Sequence, residues 1–276
     1  MSNFLQRAIT GTLFVIVLIG TIVLGGWYMH GLFGLIVLLG LWEFFSLFKS
    51  TDIKPQKMAG TFVGTAIYFL ALLSWYFGEI MMVPLIGIVL LFFIGSAISE
   101  LFRKTTRPFE NISITLIATL YIVLPFVLLN VYSFEHVLEV ETLIWPPLSI
   151  FILIWCNDTF AYLTGRLLGK HKLFERISPK KTWEGFIGGL LFAVLAGVLL
   201  AYFLEWSYIK MITYGIVVGA IGTAGDLVES MLKRNVGIKD SGNILPGHGG
   251  ILDRFDAVLF VVPVVFFLEK FIFVYR

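Results

Sequence analysis

The chain of 276 residues has a single cysteine, Cys156, and only 14% charged residues. One thiol excludes an intramolecular disulfide and any zinc site built on clustered thiolates. The four histidines, His30, His136, His171 and His248, are too scattered to replace those thiolates. An excess of one charge is also missing. Twenty basic residues against 18 acidic leave a formal net charge of +2, without the basic surplus of a nucleic-acid binder. No repeat of fixed period and no low-complexity linker divides the chain. Familiar nucleotide and hydrolase signatures are lacking as well. Gly169-Lys170 is followed by His171 rather than Ser or Thr, so there is no Walker A loop. No Gly-x-Gly-x-x-Gly opens a βαβ unit, and no Gly-x-Ser-x-Gly elbow occurs.

What the chain has in abundance is apolar surface. Apolar residues make up 58% of it, against roughly 45–50% in soluble domains, and mean hydropathy is +0.93. This excludes an ordinary soluble domain and a disordered chain. The expected fold is an all-α polytopic membrane protein, a single integral membrane domain over residues 1–276. A bilayer core about 30 Å thick needs about 20 apolar residues per helical span. Nine stretches qualify: Ala8–Gly26, Leu32–Phe48, Met58–Phe77, Met81–Leu101, Ile112–Tyr132, Leu143–Thr164, Trp183–Leu204, Tyr208–Glu229 and Ile251–Tyr275. The first reads as a true span rather than a signal peptide, because its basic n-region is weak and no small-x-small cleavage site follows.

Charge in the connections sets the orientation. With the N-terminus cytoplasmic, seventeen of the twenty basic residues fall on the cytoplasmic side. Only Lys210, Lys270 and Arg276 fall opposite, where the connection Ser133–Thr142 holds Glu135, Glu139 and Glu141. That split follows the positive-inside rule, and nine spans then put the C-terminus outside.

Ionisable side chains divide the chain differently. Glu43 alone lies well inside the first five apolar runs, where packing and a functional role are both open to it. From residue 155 onward, Asp158, Glu184, Asp226, Glu229, Asp253 and Asp256 stand at or near cytoplasmic span ends. Carboxylates in a membrane are costly and count as functional candidates. Residues 1–150 therefore read as scaffold and 151–276 as the catalytic half.

Three elements of that half bear chemistry. In the eighth span Gly215, Gly219, Gly222 and Asp226 share a helical face at i, i+4, i+7 and i+11. A glycine stripe admits a close neighbour and turns Asp226 into the bundle, either as a functional group or paired with Lys233 or Arg254. The run Asp240–Gly250 holds four glycines, a proline and an asparagine, a composition that excludes helix and strand. Its backbone N–H groups suit an anion, and the ninth span opens behind it. Asp253 and Asp256 lie in that helix start, where carboxylates also simply complement the dipole. His248 is either a base or a residue of loop conformation. Third, Ser178 before Pro179 reads as an N-cap with Pro at N1. Lys180 and Lys181 at such a helix start need an anion, from a headgroup or from a substrate phosphate. Clustered carboxylates among cations suit a hard divalent ion and a polyphosphate.

The stretch Ser230-x-Leu232-Lys233-Arg234-x4-Lys239-Asp240-x-Gly242-x2-Leu245-Pro246-x-His248-Gly249-Gly250-Ile251-x-Asp253-Arg254-Phe255-Asp256 resembles the signature of the phosphatidate cytidylyltransferases, or CDP-diacylglycerol synthases. Asp158-Thr159-x-Ala161-Tyr162-x2-Gly165-Arg166 and Ser178-Pro179-Lys180-Lys181-Thr182-x-Glu184-Gly185 are similar to the same family. The specific likeness covers roughly residues 155–260. It implies CMP transfer from CTP to phosphatidate, with Mg²⁺ as cofactor and K⁺ as a possible second ion. It also implies a homodimer in a bacterial inner membrane, with the active site facing the cytoplasm. Family members are similar in placing metal ligands at the positions of Asp226 and Asp253, and Glu229 is an additional candidate. Asp256 joins these in the catalytic set with Lys233 and Arg254. Lys180, Lys181, Arg234, Lys239, Asp158 and Ser230 are expected at the substrates, with Gly247, His248, Gly249 and Gly250 cradling a phosphate. A cation transporter and a lipid kinase are the rival readings, and release of pyrophosphate from CTP separates the enzyme from both.

The topology is directly testable. Single cysteines at Lys172 and at Glu139, in a Cys156→Ser background, are expected to react with an impermeant thiol reagent from opposite sides of sealed vesicles. Labelling of both from one side would reverse the argument from loop charge.

Overall fold

Inside a bilayer the backbone has no water to bond, so each apolar run must satisfy its own N–H and C=O groups as helix. The computed structural model obeys this almost throughout. It describes residues 3–134, 145–242, 244, 247 and 249–273. Ten helices follow in order: α1 (Asn3–Leu24), α2 (Gly26–Ser46), α3 (Lys57–Phe77), α4 (Glu79–Phe102), α5 (Pro108–Phe134), α6 (Trp145–Leu168), α7 (Trp183–Leu204), α8 (Tyr208–Val217), α9 (Thr223–Asn235) and α10 (Leu252–Leu268). Among the described residues seven helical segments, from Gly26–Ser50 to Tyr208–Asn235, are long and apolar enough to cross a membrane, and they match the second to eighth expected spans. The first and ninth correspond to α1, whose apolar part is Ile9–Leu24, and to the 17-residue α10. The acidic connection after Ser133 lies outside the described residues beyond Phe134.

Between α6 and α7 the chain departs from helix. Lys172–Phe174 (β1) and Ser178–Thr182 (β2) pair antiparallel in a two-stranded sheet. Two compact units result. One combines Met1–Glu135 with Val236–Arg254, the other His136–Asn235 with Phe255–Arg276.

In the first unit α3 packs on α2, α4 and α5. Its interior includes a closed polar network. His30 Nδ1 lies 2.6 Å from Asn130 Oδ1, and Nε2 lies 2.9 Å from the Tyr76 hydroxyl. Tyr68 donates to the His30 carbonyl at 3.0 Å and accepts from Asn130 at 3.1 Å. Such pairing removes the cost of polar groups in an apolar interior.

In the second unit α7 lies between α6 and α8, and small residues let the backbones approach. A Cβ on Gly215 would sit 2.7 Å from Val194 Cα, and one on Gly219 would sit 2.9 Å from Leu190 Cα. Gly222 and Gly225 face α10 instead, toward Ala257 and Phe260. The glycine stripe therefore changes partner partway. A π-turn at Val218–Gly222 is the cause, because a wider turn rotates the residues that follow about the helix axis.

Two glycine substitutions test this packing with opposite signs. Gly215→Ala forces a methyl against α7 backbone and should cost about 1–3 kcal/mol. Gly95→Ala in α4 meets nothing within 4 Å, and should gain up to about 1 kcal/mol from helix propensity. Thermal unfolding in detergent distinguishes them.

Candidate active site

Strand β2 ends at Thr182, whose hydroxyl accepts from the Gly185 N–H at 3.2 Å and caps α7. Ser178 is consequently not the N-cap, and Pro179 is not at N1. The reason lies in the hairpin: Ser178–Thr182 is paired with β1, and the Trp183 N–H still donates to the His171 carbonyl at 2.9 Å. The helix begins only where that pairing stops. Glu184 closes the same corner, accepting from the Lys170 and His171 N–H groups at 3.1 and 3.3 Å. Lys180 and Lys181 thus project from a strand and not from the positive end of a helix dipole.

Lys181 finds its anion within the protein. Its ammonium lies 2.5 Å from Asp226 Oδ2, so the salt-bridge partner of Asp226 is neither Lys233 nor Arg254. Asp226 opens α9, and its other oxygen accepts from Ser230 Oγ at 3.2 Å, one turn on. That i, i+4 bond is the one expected from the spacing. Glu229, on the same helix, is buried with Lys233 beside it at 3.4 Å. Asp256 on α10 faces the like charges of Asp226, Glu229 and Asp158. The buried Asn157 donates to Asp158 at 3.2 Å. Four carboxylates and two lysines of one unit therefore share one charge cluster, in which Glu229 and Lys233 are buried while Asp158 is exposed and Asp226 and Lys181 are partly open. Arg234 is exposed on α9.

The other unit holds the glycine loop, and here Glu43 is the residue that sequence reasoning left open. Glu43 is 3% exposed. It accepts from Ser241 Oγ at 2.8 Å and from the Ile251 and Leu252 N–H groups at 2.6 and 3.2 Å. The carboxylate therefore ties the start of the glycine loop to the N-terminus of α10, two of whose orphan N–H groups it satisfies. Asp253 works from the other side, accepting from Ser241 N–H at 3.1 Å and Gly250 N–H at 2.9 Å. A Cβ at Gly250 would collide with Glu43 Oε1 and Ser241 Oγ, and Gly249 adopts a φ of +84°. Both positions accept glycine alone without strain. Gly247, Lys239 and Arg254 are exposed in this unit, and His248 lies outside the described residues. Only the isolation of Glu43 within the first five spans signalled its role.

The donor set bears on a metal. Asp158, Asp226, Glu229 and Asp256 offer hard carboxylate oxygens only. Among the described residues no three Asp, Glu, His or Cys side chains form a group that would hold an ion. Mg²⁺ is seldom caged by protein and is bound through one or two carboxylates together with substrate phosphates. The residues fit that mode.

Replacement of Glu43 tests the loop anchor. Glu43→Gln keeps the shape but loses the charge and one acceptor, and leaving buried donors unmet costs about 1–3 kcal/mol each. Ser241→Ala removes one hydroxyl contact and should lower the melting temperature less. Wild-type unfolding of Glu43→Gln would remove this role.

Comparison with known proteins bears on the chain as a whole. The model of the cytidylyltransferase family matches residues 5–272. A phosphatidate cytidylyltransferase of Bacillus subtilis is 34% identical over 97% of this chain and 98% of its own length. One from Synechocystis is 32% identical over 95% of each. A Staphylococcus aureus relative of the same name is 50% identical over 120 residues, 43% of this chain. With a match that spans nearly the whole sequence, the chain belongs to the cytidylyltransferase family.

Proposed function

We propose that this chain is a phosphatidate cytidylyltransferase, transferring CMP from CTP to phosphatidate to give CDP-diacylglycerol and pyrophosphate. The observation that carries this is the near full-length likeness to proteins of that name. It acts within one integral membrane domain of a bacterial inner membrane, with nine spans, the N-terminus and the active site toward the cytoplasm, and as a homodimer. The seventeen basic residues assigned to cytoplasmic connections support that orientation.

The chemistry asks for positioning more than for a base. The attacking phosphatidate oxygen is already anionic, and the barrier arises from bringing one polyanion to another and spreading charge at the α-phosphorus. Preorganised charge then supplies most of the catalysis. Lys181 suits this task because Asp226 orients its ammonium at 2.5 Å. Lys180, Lys233, Arg234, Lys239 and Arg254 are the further cations proposed to meet phosphates. The Gly247–Gly250 backbone cradles one phosphate, and Glu43 and Asp253 hold that loop in shape. Mg²⁺ is the cofactor that suits the donors: Asp226, with Glu229 and Asp256 beside it, and Asp253 one turn before Asp256. When bound it neutralises phosphate charge and orients the triphosphate. K⁺ as a second ion rests on the resemblance alone.

The deciding experiment is purified protein with CTP, Mg²⁺ and phosphatidate, which should release pyrophosphate and form CDP-diacylglycerol together. A lipid kinase would leave the nucleoside diphosphate instead. Asp226→Asn should lower turnover at least about a hundredfold, as removal of a preorganised charged group does, with the protein still folded. It should also abolish any Mg²⁺-dependent rise in melting temperature. An Asp226→Asn protein that melts early yet turns over normally per folded molecule would overturn the metal assignment.

A further inference from the structure

A second cationic site lies in the N-terminal unit. The end of α2, the connection to α3 and the end of α4 enclose a cavity of about 410 Å³. Phe45, Phe48, Ile53 and Pro55 give it an apolar lining, while Lys49, Lys54, Lys57 and Arg103 bring four cations. No acidic residue lines it. Arg103 pairs with Glu100, and its other nitrogen donates to the Lys54 carbonyl at 2.8 Å. Lys57 is held over the Trp42 ring at 3.6 Å and donates to Ser46 Oγ at 2.6 Å. Lys49 adds a like charge toward Lys57, and its side chain is exposed. Lys54 donates to the Lys49 carbonyl at 3.3 Å, so the three lysines meet a carbonyl, a hydroxyl, an aromatic face and each other. Of the four cations only Arg103 is met by a carboxylate among the described residues, and three lysines gathered at one cavity favour an anion.

The surroundings say which kind. Leu101 and Phe102, immediately before Arg103, are 80% and 82% exposed, and Met58 and Phe62 beside Lys57 are 58% and 57% exposed. Large apolar side chains so open belong against lipid. Trp42 beneath Lys57 fits the aromatic belt at headgroup level. The cavity therefore joins an apolar lining to a basic connection that is flanked by open apolar side chains. A free phosphate would use the cations but has no use for the apolar lining. Basic pockets between spans on the cytoplasmic side suit lipid headgroups. We propose that this cavity binds the phosphate headgroup of an anionic glycerophospholipid, through residues none of which belongs to the carboxylate cluster. The inference does not depend on the catalytic reading.

The test uses a lipid that has no phosphate monoester and so cannot replace phosphatidate. Full-length protein in detergent is titrated with dioctanoyl phosphatidylglycerol, dioctanoyl phosphatidylcholine or inorganic phosphate, and thermal unfolding is followed. Phosphatidylglycerol should raise the melting temperature of the wild type, while the other two leave it unchanged. In Lys49→Gln/Lys54→Gln the half-saturating concentration should rise at least about tenfold, the cost of about one charge-assisted contact. Lys49→Arg/Lys54→Arg, which keeps both charges, should stay near the wild type. Equal half-saturation in the wild type and the Gln variant would overturn the proposal. So would stabilisation by inorganic phosphate equal to that by the lipid, which would make the cavity a free-phosphate site.

Discussion

A carboxylate taken out of water must be met by a cation or by N–H and O–H donors, and this chain removes several from water. Its two principal sites are different answers to that requirement. Around Asp226, which stays partly open to solvent, the answer is a cation and a hydroxyl: Lys181 at 2.5 Å and Ser230 at 3.2 Å. Around Glu43 it is backbone, with the free N–H groups of a helix start taking the place of a cation. The buried Glu43 costs stability if any partner is lost, and for that reason its partners decide the local course of the chain.

The second consequence is division of labour. Glu43 and Asp253 are spent largely on shaping a loop whose glycines tolerate no side chain. Asp158, Asp226, Glu229 and Asp256 crowd like charge together, which stabilises nothing by itself. Crowded carboxylates gain from a divalent cation, and cations such as Lys181 gain from phosphate. In the proposed reading, substrate and metal complete an electrostatic balance that the protein alone leaves tilted.

Much was legible before any coordinates. The apolar runs located the second to eighth spans, with ends off by up to about six residues, since a membrane span depends on length and hydropathy. The i, i+4 step from Asp226 to Ser230 was equally local. The helix start near Ser178 was misread because an N-cap followed by proline is a local signal, and the pairing of β2 with β1 overrode it. The glycine stripe of α8 and α9 was read on a regular helix, and the π-turn at Val218–Gly222 redirected half of it.

Composition, loop charge and motif thus determined by themselves that the chain is a helical membrane protein bearing a cytidylyltransferase signature. Each of those properties is summed over neighbouring residues and needs no knowledge of the fold. Tertiary structure alone decided which donor meets which carboxylate. It brought Lys181 to Asp226, and it brought Glu43 to the N–H groups of Ile251 and Leu252 across more than 200 residues of chain. Such partnerships join residues far apart in sequence, and the energy that selects them, the desolvation of a buried charge, exists only once the chain has folded around it.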